Sequence, residues 1–191
     1  DQYNELMPVI SANPFLKKEF VTGVYSEYTY KLAEKIMAMG GIRADYNNLY
    51  GTLVTPRVHL KYSLTDHLLF RVSVGKGYRS PNVFAENNFL LAGNRSLVIA
   101  PDLKIEKAWN YGFSAMADID VAEKEIMLAG EWYYTNFNQQ VVTDMDSDPH
   151  KVTFSNLDGK SYSHSAQIEA SSEILTGLKV NVAHRINIVK T

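Results

Sequence analysis

The sequence predicts an all-β fold, an antiparallel up-and-down meander of about eight strands. Three observations predict it. Apolar and polar residues alternate with a period of two along many segments, helical periodicity is nearly absent, and the connections between segments alternate in length. The composition agrees, because 12 of the 191 residues are Tyr and Tyr is enriched in strands.

The strand pattern recurs along the whole chain. It covers residues 20–30, 36–45, 57–62, 68–75, 108–117, 126–134, 165–170 and 178–188. The fourth segment is the clearest, because Leu68, Phe70, Val72 and Val74 fall on one face. The first two segments sort their faces less cleanly, and His184 interrupts the apolar row of the last one.

The connections predict where the two ends of the sheet lie. Short ones are expected at residues 32–34, 64–66, 119–122 and 175–177, and longer ones at residues 46–50, 76–104 and 138–160. Short turns at one end and long loops at the other are typical of an up-and-down outer-membrane barrel. Residues 1–19, which contain Pro8 and Pro14, are expected to be an irregular lead-in or part of a loop.

The two faces of the strands leave two readings open, since an apolar face requires either lipid or a second sheet. The opposite face carries polar residues that suit a barrel interior or the solvent side of a soluble sheet: Arg43, Arg57, His59, Lys61, Arg71, Asn110, Gln167, Glu169, Lys179 and Arg185. Aromatic residues near the strand ends suit an interfacial girdle or a plain core: Tyr25, Tyr28, Tyr30, Tyr62, Trp109, Trp132, Tyr133 and Tyr134.

Several function classes lack support in the sequence. The net charge of −2 gives no case for nucleic-acid binding, and the absence of Cys removes thiolate chemistry. No zinc spacing, nucleophile elbow or other catalytic constellation occurs, so we expect no enzyme and no cofactor. Gly75, Lys76 and Gly77 lack the third glycine and the helix of a nucleotide loop and are expected to serve the exit from a strand.

Six stretches, taken in order, resemble the TonB-dependent outer-membrane receptors. Residues 41–48 resemble the family's GxRxDY strand end, residues 55–62 its PRxxxxY strand, and residues 71–81, continued by 82–88, its RxSxGxGYRxP signature. Residues 103–112 resemble LKPExxxNYE, with Ile105 where Pro is usual and Gly112 in place of Glu. Residues 132–138 and 154–159 resemble the strand and the loop end that follow.

The resemblance implies that the chain is part of a 22-stranded transmembrane barrel in the cell outer membrane, in contact with its lipid. It implies import of a scarce small-molecule nutrient, such as a siderophore, cobalamin, another metal chelate or a glycan. It also implies a separate plug that couples to the TonB complex. Because no plug is present, residues 1–191 are expected to be a partial barrel domain whose edge strands pair between copies of the isolated chain.

The longest loop region supplies the candidate ligand-binding residues, which the resemblance implies contact the substrate or the plug: Arg79, Asn82, Glu86, Asn87, Asn88 and Arg95. The alternative is that they anchor the loop, with Arg79 and Glu86 forming an ion pair. A second loop carries four alternating residues that are weak metal-ligand candidates: Asp144, Asp146, Asp148 and His150. Pro149 stands where a calcium loop needs Gly, which favours a solvated loop tip.

Two other classes of function remain open from the sequence. A soluble β-sandwich or small barrel that binds carbohydrate or another ligand would cover the apolar faces with its own second layer. A passive porin would have an unplugged barrel. The receptor and the sandwich differ in what covers the apolar faces of the strands, which is lipid in the first and a second sheet in the second.

Overall fold

A computed structural model describes residues 17–33, 35–92, 95–121 and 124–191. Eight long strands form one antiparallel sheet, called the wall below, in the order β1-β2-β3-β4-β6-β7-β10-β11. They are β1 Val21–Leu32, β2 Ile36–Asn47, β3 Gly51–Thr65, β4 Leu68–Arg79, β6 Glu106–Val121, β7 Lys124–Asn138, β10 Ser161–Leu175 and β11 Leu178–Lys190. Every neighbour in the wall is also the next long strand in sequence, which confirms the predicted meander.

A second, smaller assembly joins two of the connections between wall strands. It contains helix α1 Val83–Glu86, the 3₁₀ helix Asn88–Ala92, and strands β5 Ser96–Ile99, β8 Val141–Asp144 and β9 Lys151–Asn156. The three strands pair in the order β5-β9-β8, with β5 parallel to β9. We call residues 80–105 and 139–160, apart from residues 93–94, the loop unit.

The strand register sorts the wall into two faces. On one face Lys61 lies opposite Arg71, and across the next strands Glu131 lies opposite Gln167, which in turn lies opposite Arg185. Neighbouring positions are apolar and belong to the other face, because successive side chains of a strand point in opposite directions. This second face continues across all eight strands, and we call it the outer face.

The described residues place no second layer on the outer face. Ile168 and Val182 are each 66% exposed, whereas the buried apolar cluster, Val83, Val152 and Phe154, lies entirely within the loop unit. The packing of a sandwich, with a second sheet against the apolar face, is therefore not present in the described part of the chain. The described residues also include no helix long and apolar enough to cross a membrane.

The turns agree with the predicted pattern except at one place. Short turns connect β3 to β4 and β10 to β11, and Gly177 takes the positive φ of 85° that the second turn needs. Glu34 and Ala122, in the other two predicted short turns, lie outside the described residues, as do residues 1–16 of the predicted lead-in.

The prediction of a longer connection at residues 46–50 is wrong. β2 extends to Asn47 and β3 begins at Gly51, which leaves a turn of residues 48–50. The Asn47 side-chain oxygen accepts the backbone N–H groups of Leu49 and Tyr50, at 2.8 and 3.2 Å, and Gly51 has a φ of 75°. A side-chain cap followed by a left-handed glycine closes this connection tightly.

The aromatic girdle was predicted correctly only in part. Trp109, Tyr111, Trp132 and Tyr134 lie on the outer face, where Trp132 and Tyr134 stack with ring centroids 6.3 Å apart. Tyr25 lies opposite Arg43, and Tyr133 lies opposite Gly112 and Ser165, so both belong to the polar face. An aromatic residue therefore joins the girdle only if its position in the strand points it outward.

Candidate functional site

Arg79, the first predicted loop residue, is bound at the base of the loop unit. Its Nε lies 2.6 Å and its Nη2 2.5 Å from Oε2 of Glu106, a buried residue at the start of β6. The other Glu106 oxygen accepts the backbone N–H of Val141 at 2.8 Å. The expected ion pair with Glu86 is present at 3.3 Å. This arrangement ties the two segments of the loop unit to the wall.

The asparagines of the same region cap short helices. The Asn82 side chain accepts the backbone N–H of Ala85 at 3.4 Å, and the Asn87 side chain donates to the carbonyl of Val83 at 2.9 Å. Asn88 is exposed at the start of the 3₁₀ helix. Asn82 and Asn87 therefore have structural partners, whereas Asn88 faces solvent.

Arg95 and the acidic residues of the second loop also serve local structure. Arg95 donates from Nη1 to the carbonyl of Met145 at 3.1 Å, which links the two segments of the loop unit. Asp144 accepts the backbone N–H groups of Asp146 and Ser147, each at 3.0 Å. These bonds close a turn by the Asx mechanism.

The structure does not gather the metal candidates into one site. Asp148 accepts the backbone N–H of His150 at 2.8 Å and pairs with Lys151 at 3.3 Å. The hydrogen bonds from Ser147 lower the pKa of Asp144, and the His150 N–H lowers that of Asp148. Across the described ranges, no three acidic or His residues are grouped in a way that could hold a metal ion.

A buried polar cluster lies where β2 and β4 approach the loop end of the wall. The Asp45 carboxylate is 1% exposed and receives the Arg43 Nε at 2.9 and 2.8 Å. The Tyr78 hydroxyl donates to it at 2.8 Å. Gly23 lies opposite Asp45 on β1, and a Cβ there would come within 1.8 Å of the carboxylate. The cluster therefore requires glycine at that position.

A second cluster fastens the segment before β1 to the same strand ends. Glu19 accepts from Asn47 at 2.6 Å and from the Ser80 hydroxyl at 2.8 Å, and pairs with Lys17 at 3.2 Å. Lys17 also donates to the Pro81 carbonyl at 3.0 Å. Burial raises the pKa of Glu19, but the hydrogen bonds from Ser80, Asn47 and Lys17 outweigh it, and the net pKa is lowered.

The wall forks where β3 and β4 stop pairing. Pairing of β3 with β4 ends at Arg57 and Gly75, whereas pairing of β4 with β6 continues to Arg79 and Glu106. A recess of about 420 Å³ lies near the fork. We call this cavity the fork recess. It is lined by Tyr25, Ser26, Ile42, Arg43, Thr55, Arg57 and Lys76.

Sequence reasoning did not identify the buried clusters or the fork recess. Asp45 and Tyr78 are 33 positions apart, and Glu19 and Ser80 are 61 apart, so no local spacing joins them. A signal was nevertheless available, since residues 41–48 and 71–81, which carry the family resemblance, contain Arg43, Asp45 and Tyr78.

The family model described as "TonB dependent receptor-like, beta-barrel" matches residues 1–185. No curated protein sequence matches the chain. Among solved structures, the siderophore receptor PirA from Pseudomonas aeruginosa is similar at a TM-score of 0.71 and 17% identity, over 90% of this chain and 32% of that one.

Two further structures show the same fold. A mutant of the ferric enterobactin receptor PfeA from Pseudomonas aeruginosa has a TM-score of 0.69 at 13% identity, over 94% of this chain and 28% of that one. The FrpB iron transporter from Neisseria meningitidis has a TM-score of 0.63 at 20% identity, over 90% and 26%. The chain thus spans about a third or less of the structures that it matches.

Proposed function

Because the chain belongs to the TonB dependent receptor-like β-barrel family, we propose that it forms a section of the wall of an outer-membrane import receptor. The receptor takes up a scarce nutrient such as a siderophore, cobalamin, another metal chelate or a glycan. Uptake depends on a plug domain and on the energy-transducing TonB complex. The protein binds and moves its substrate and does not convert it chemically.

The uncovered outer face carries this proposal. It extends over eight paired strands, carries apolar side chains such as Ile168 and Val182, and bears an aromatic band at the end nearest the loop unit. Hydrocarbon is the environment that such a face requires when no second layer covers it. The polar face then lines the barrel interior.

The free edges of the wall support the same arrangement. Among the described residues, β1 pairs only with β2 and β11 only with β10. An unpaired edge is a template for another strand. We propose that both edges continue into further strands of the same barrel, and that copies of the isolated chain pair through them instead.

Iron chelates are the first substrates to test, because the similar solved structures are named as siderophore, ferric enterobactin and iron-transporting proteins. We propose that the candidate residues lie near the entry of the substrate, one at the end of β4 and the others in the loop unit: Arg79, Asn82, Glu86, Asn87, Asn88 and Arg95. The contacts of Glu86 with Arg79 and of Val141 with Glu106, which hold the loop unit at one end of the wall, support this proposal.

Uptake measurements test the proposal directly. The receptor that carries this chain is expressed in a Gram-negative host deprived of its own iron receptors, and accumulation of labelled iron chelates is followed with and without an intact TonB complex. We expect accumulation that stops when the complex is removed. Equal accumulation in both hosts would indicate a passive channel. Recovery of the expressed receptor as a water-soluble monomer, without detergent, would contradict a role in the membrane.

A further inference from the structure

We infer that the outer face holds a binding site for a bisphosphorylated glycolipid at the end nearest the loop unit. Three lysines of this site bind the phosphate groups, and an apolar depression nearer the short turns receives an acyl chain. The site goes beyond nutrient import, and it depends on the proposed function only for the contact of the outer face with lipid.

A row of side chains crosses five strands at this end of the outer face. From β4 to β11 the register places in it Lys76, Trp109, Asn136, Tyr162 and Lys190. Because Trp109 lies on the outer face, and directly paired residues of a sheet lie on the same side, the whole row lies there. A cation therefore stands at each end of the row, and aromatic rings and an amide stand between them.

Lys107 places a third cation beside the first. It lies two residues from Trp109 on β6, on the same face and nearer the loop unit. Lys76 and Lys107 are diagonal neighbours about 7–8 Å apart, close enough for both ammonium groups to contact one phosphate. Lys190 lies four strand spacings from Lys76, about 19 Å at the usual separation of paired strands. The site therefore suits two phosphates joined by a neutral sugar.

Acidic side chains do not offset these cations. The described outward positions of β4, β6, β7, β10 and β11 include no Asp or Glu, and acids of these strands such as Glu131 and Glu169 belong to the polar face. Lys76, Lys107 and Lys190 have no ion-pair partner among the described residues. The described outward positions of β1, β2 and β3 carry no charge of either sign. Positive charge at this end is thus concentrated on β4 to β11, where it attracts anionic lipid.

The aromatic band sets the depth of the lysines. Tyr111 and Tyr134 occupy the next outward row, one step from Trp109 towards the short turns, and the ring of His164 lies against Tyr134 with centroids 4.7 Å apart. Aromatic rings lie at the level of the lipid headgroups in a transmembrane wall. The three lysines lie at that level or just beyond it on the loop side, which is the depth of lipid phosphates.

A depression of about 450 Å³ opens on the outer face on the other side of the aromatic band. Its lining includes residues with little side-chain bulk, namely Ala115, Ala117, Gly130 and Ala170. A Cβ at Gly130 would have no atom within 4 Å, so the space above it is open. The other lining residues are apolar except His184 and Glu169, and Glu169 belongs to the polar face. The depression therefore suits hydrocarbon.

The depression lies at a depth that an acyl chain reaches from the row of lysines. Ala115 is six residues from Trp109 along β6, or about 20 Å of strand. In strands tilted by about 45° this corresponds to about 14 Å across the membrane, close to half of a hydrocarbon core about 30 Å thick. One lipid can therefore place its phosphates on the lysines and an acyl chain in the depression.

Lipid binding to the purified full-length receptor in detergent tests the site. Native mass spectrometry measures the affinity for synthetic lipid A with two phosphate groups and for the same lipid with one phosphate group removed. One variant combines Lys76→Gln, Lys107→Gln and Lys190→Gln, and a second combines the three corresponding changes to Arg. Lys61→Gln, which changes a cation of the polar face opposite Arg71, is the matched control.

A second pair of variants tests the depression without altering charge. Gly130→Val adds a side chain where a Cβ meets no protein atom, and so fills the depression. Gly40→Val is its control, since Gly40 also lies on the outer face, opposite Tyr28 and Val58, and a Cβ there likewise has no atom within 4 Å. Heat-modifiable migration on gels checks that every variant is folded.

We expect the unaltered receptor to bind the lipid with two phosphates more tightly than the lipid with one. The triple Gln variant should bind the first lipid about ten- to hundredfold more weakly and lose the preference, because each Lys near an anionic headgroup contributes to the attraction. The triple Arg variant should retain both the affinity and the preference. Gly130→Val should weaken binding of the two lipids alike, by about fourfold or more, the equivalent of one buried methylene group. Both controls should leave binding unchanged.

Several results would overturn the inference: equal affinity of the unaltered receptor for the two lipids, no loss in the triple Gln variant or in Gly130→Val, or equally large losses in the controls. Phosphatidylglycerol that displaced lipid A at equal concentration would also overturn it, because any anionic lipid would then suffice. Failure of the lipid test with TonB-dependent import retained would leave the proposed function intact. Loss of import with lipid binding retained would contradict the proposed function alone.

Discussion

The wall and the loop unit of this chain are stabilised in opposite ways. The wall has long paired strands and apolar side chains directed outward, where nothing in the described chain covers them. The loop unit has short strands and directs its apolar side chains inward, so that Val152 and Phe154 are 0% exposed. The wall therefore depends on its surroundings for its apolar contacts, whereas the loop unit supplies its own.

The difference explains how a long connection can hold a fixed shape at the mouth of a barrel. Leu90, Leu97, Ile99, Leu103 and Val141 pack around the buried cluster of the loop unit. Glu86 and the backbone N–H of Val141 then fix that unit to the wall, because they contact Arg79 and the buried carboxylate of Glu106 at the ends of β4 and β6. Candidate ligand-binding residues are thus carried on a small folded platform.

The largest effect is expected from Phe154→Ala, which removes the central side chain of the loop unit. Phe-to-Ala changes at fully buried positions cost about 3–5 kcal/mol, so the loop unit should open while the wall stays folded. Limited proteolysis should show new cleavage within residues 80–105 and 139–160. Phe113→Ala, on the outer face of the wall, serves as the control and should leave the loops resistant.

A charge on the outer face should destabilise the wall itself. Ile168→Arg places a cation where lipid is expected and should cost about 2–4 kcal/mol near mid-depth. Urea unfolding in phospholipid vesicles measures the loss. Gln167→Arg, one residue away on the polar face, should cost little. Equal losses at the two positions would remove the distinction between the faces.

The attachment between the two regions should be weakened by Glu106→Gln. This change keeps the size of the side chain but removes the charge that Arg79 contacts, at a cost of about 1–3 kcal/mol because Glu106 is buried. Faster proteolysis of the loop unit would show that its attachment to the wall is weaker. Glu86→Gln, at the more exposed partner of Arg79, should change the rate less.

How much could be predicted from sequence differs between the two regions. The wall was predictable because alternation with a period of two is a local property, and segments such as residues 68–75 show it without reference to any partner. The loop unit was expected only as two long connections, because its core joins Val83 to Val152 and Phe154, which are separated in sequence by the two wall strands β6 and β7.

The site was harder to predict than the wall for the same physical reason. Which side chains meet depends on the register between strands, and the fork between Gly75 and Arg79 depends on where one pairing stops and another continues. The Arg79–Glu86 pair was predictable because the two residues are close in sequence. The Asp45–Tyr78 bond, which crosses β3, was not.

A smaller, pH-dependent effect is expected at Glu19, which fastens the segment before β1. Its pKa is lowered from the usual 4.5 in the folded state. The stabilisation is therefore fully present above the unfolded-state pKa and is lost as the pH falls through the lower folded-state pKa. Protection of residues 17–20 against hydrogen exchange, measured relative to the intrinsic rate at each pH, should therefore decrease as the pH falls below about 4.5. Glu19→Gln should show rapid exchange at neutral pH and a weaker pH dependence.

The most direct test of the central claim uses the absence of Cys from the chain. Single cysteines at residues 166–170 of β10 are spin-labelled in the receptor reconstituted into lipid vesicles, and accessibility to oxygen and to a water-soluble nickel chelate is measured. The account predicts oxygen maxima at Ala166, Ile168 and Ala170, with nickel maxima at Gln167 and Glu169. A profile without this alternation, or with the two maxima exchanged, would contradict it.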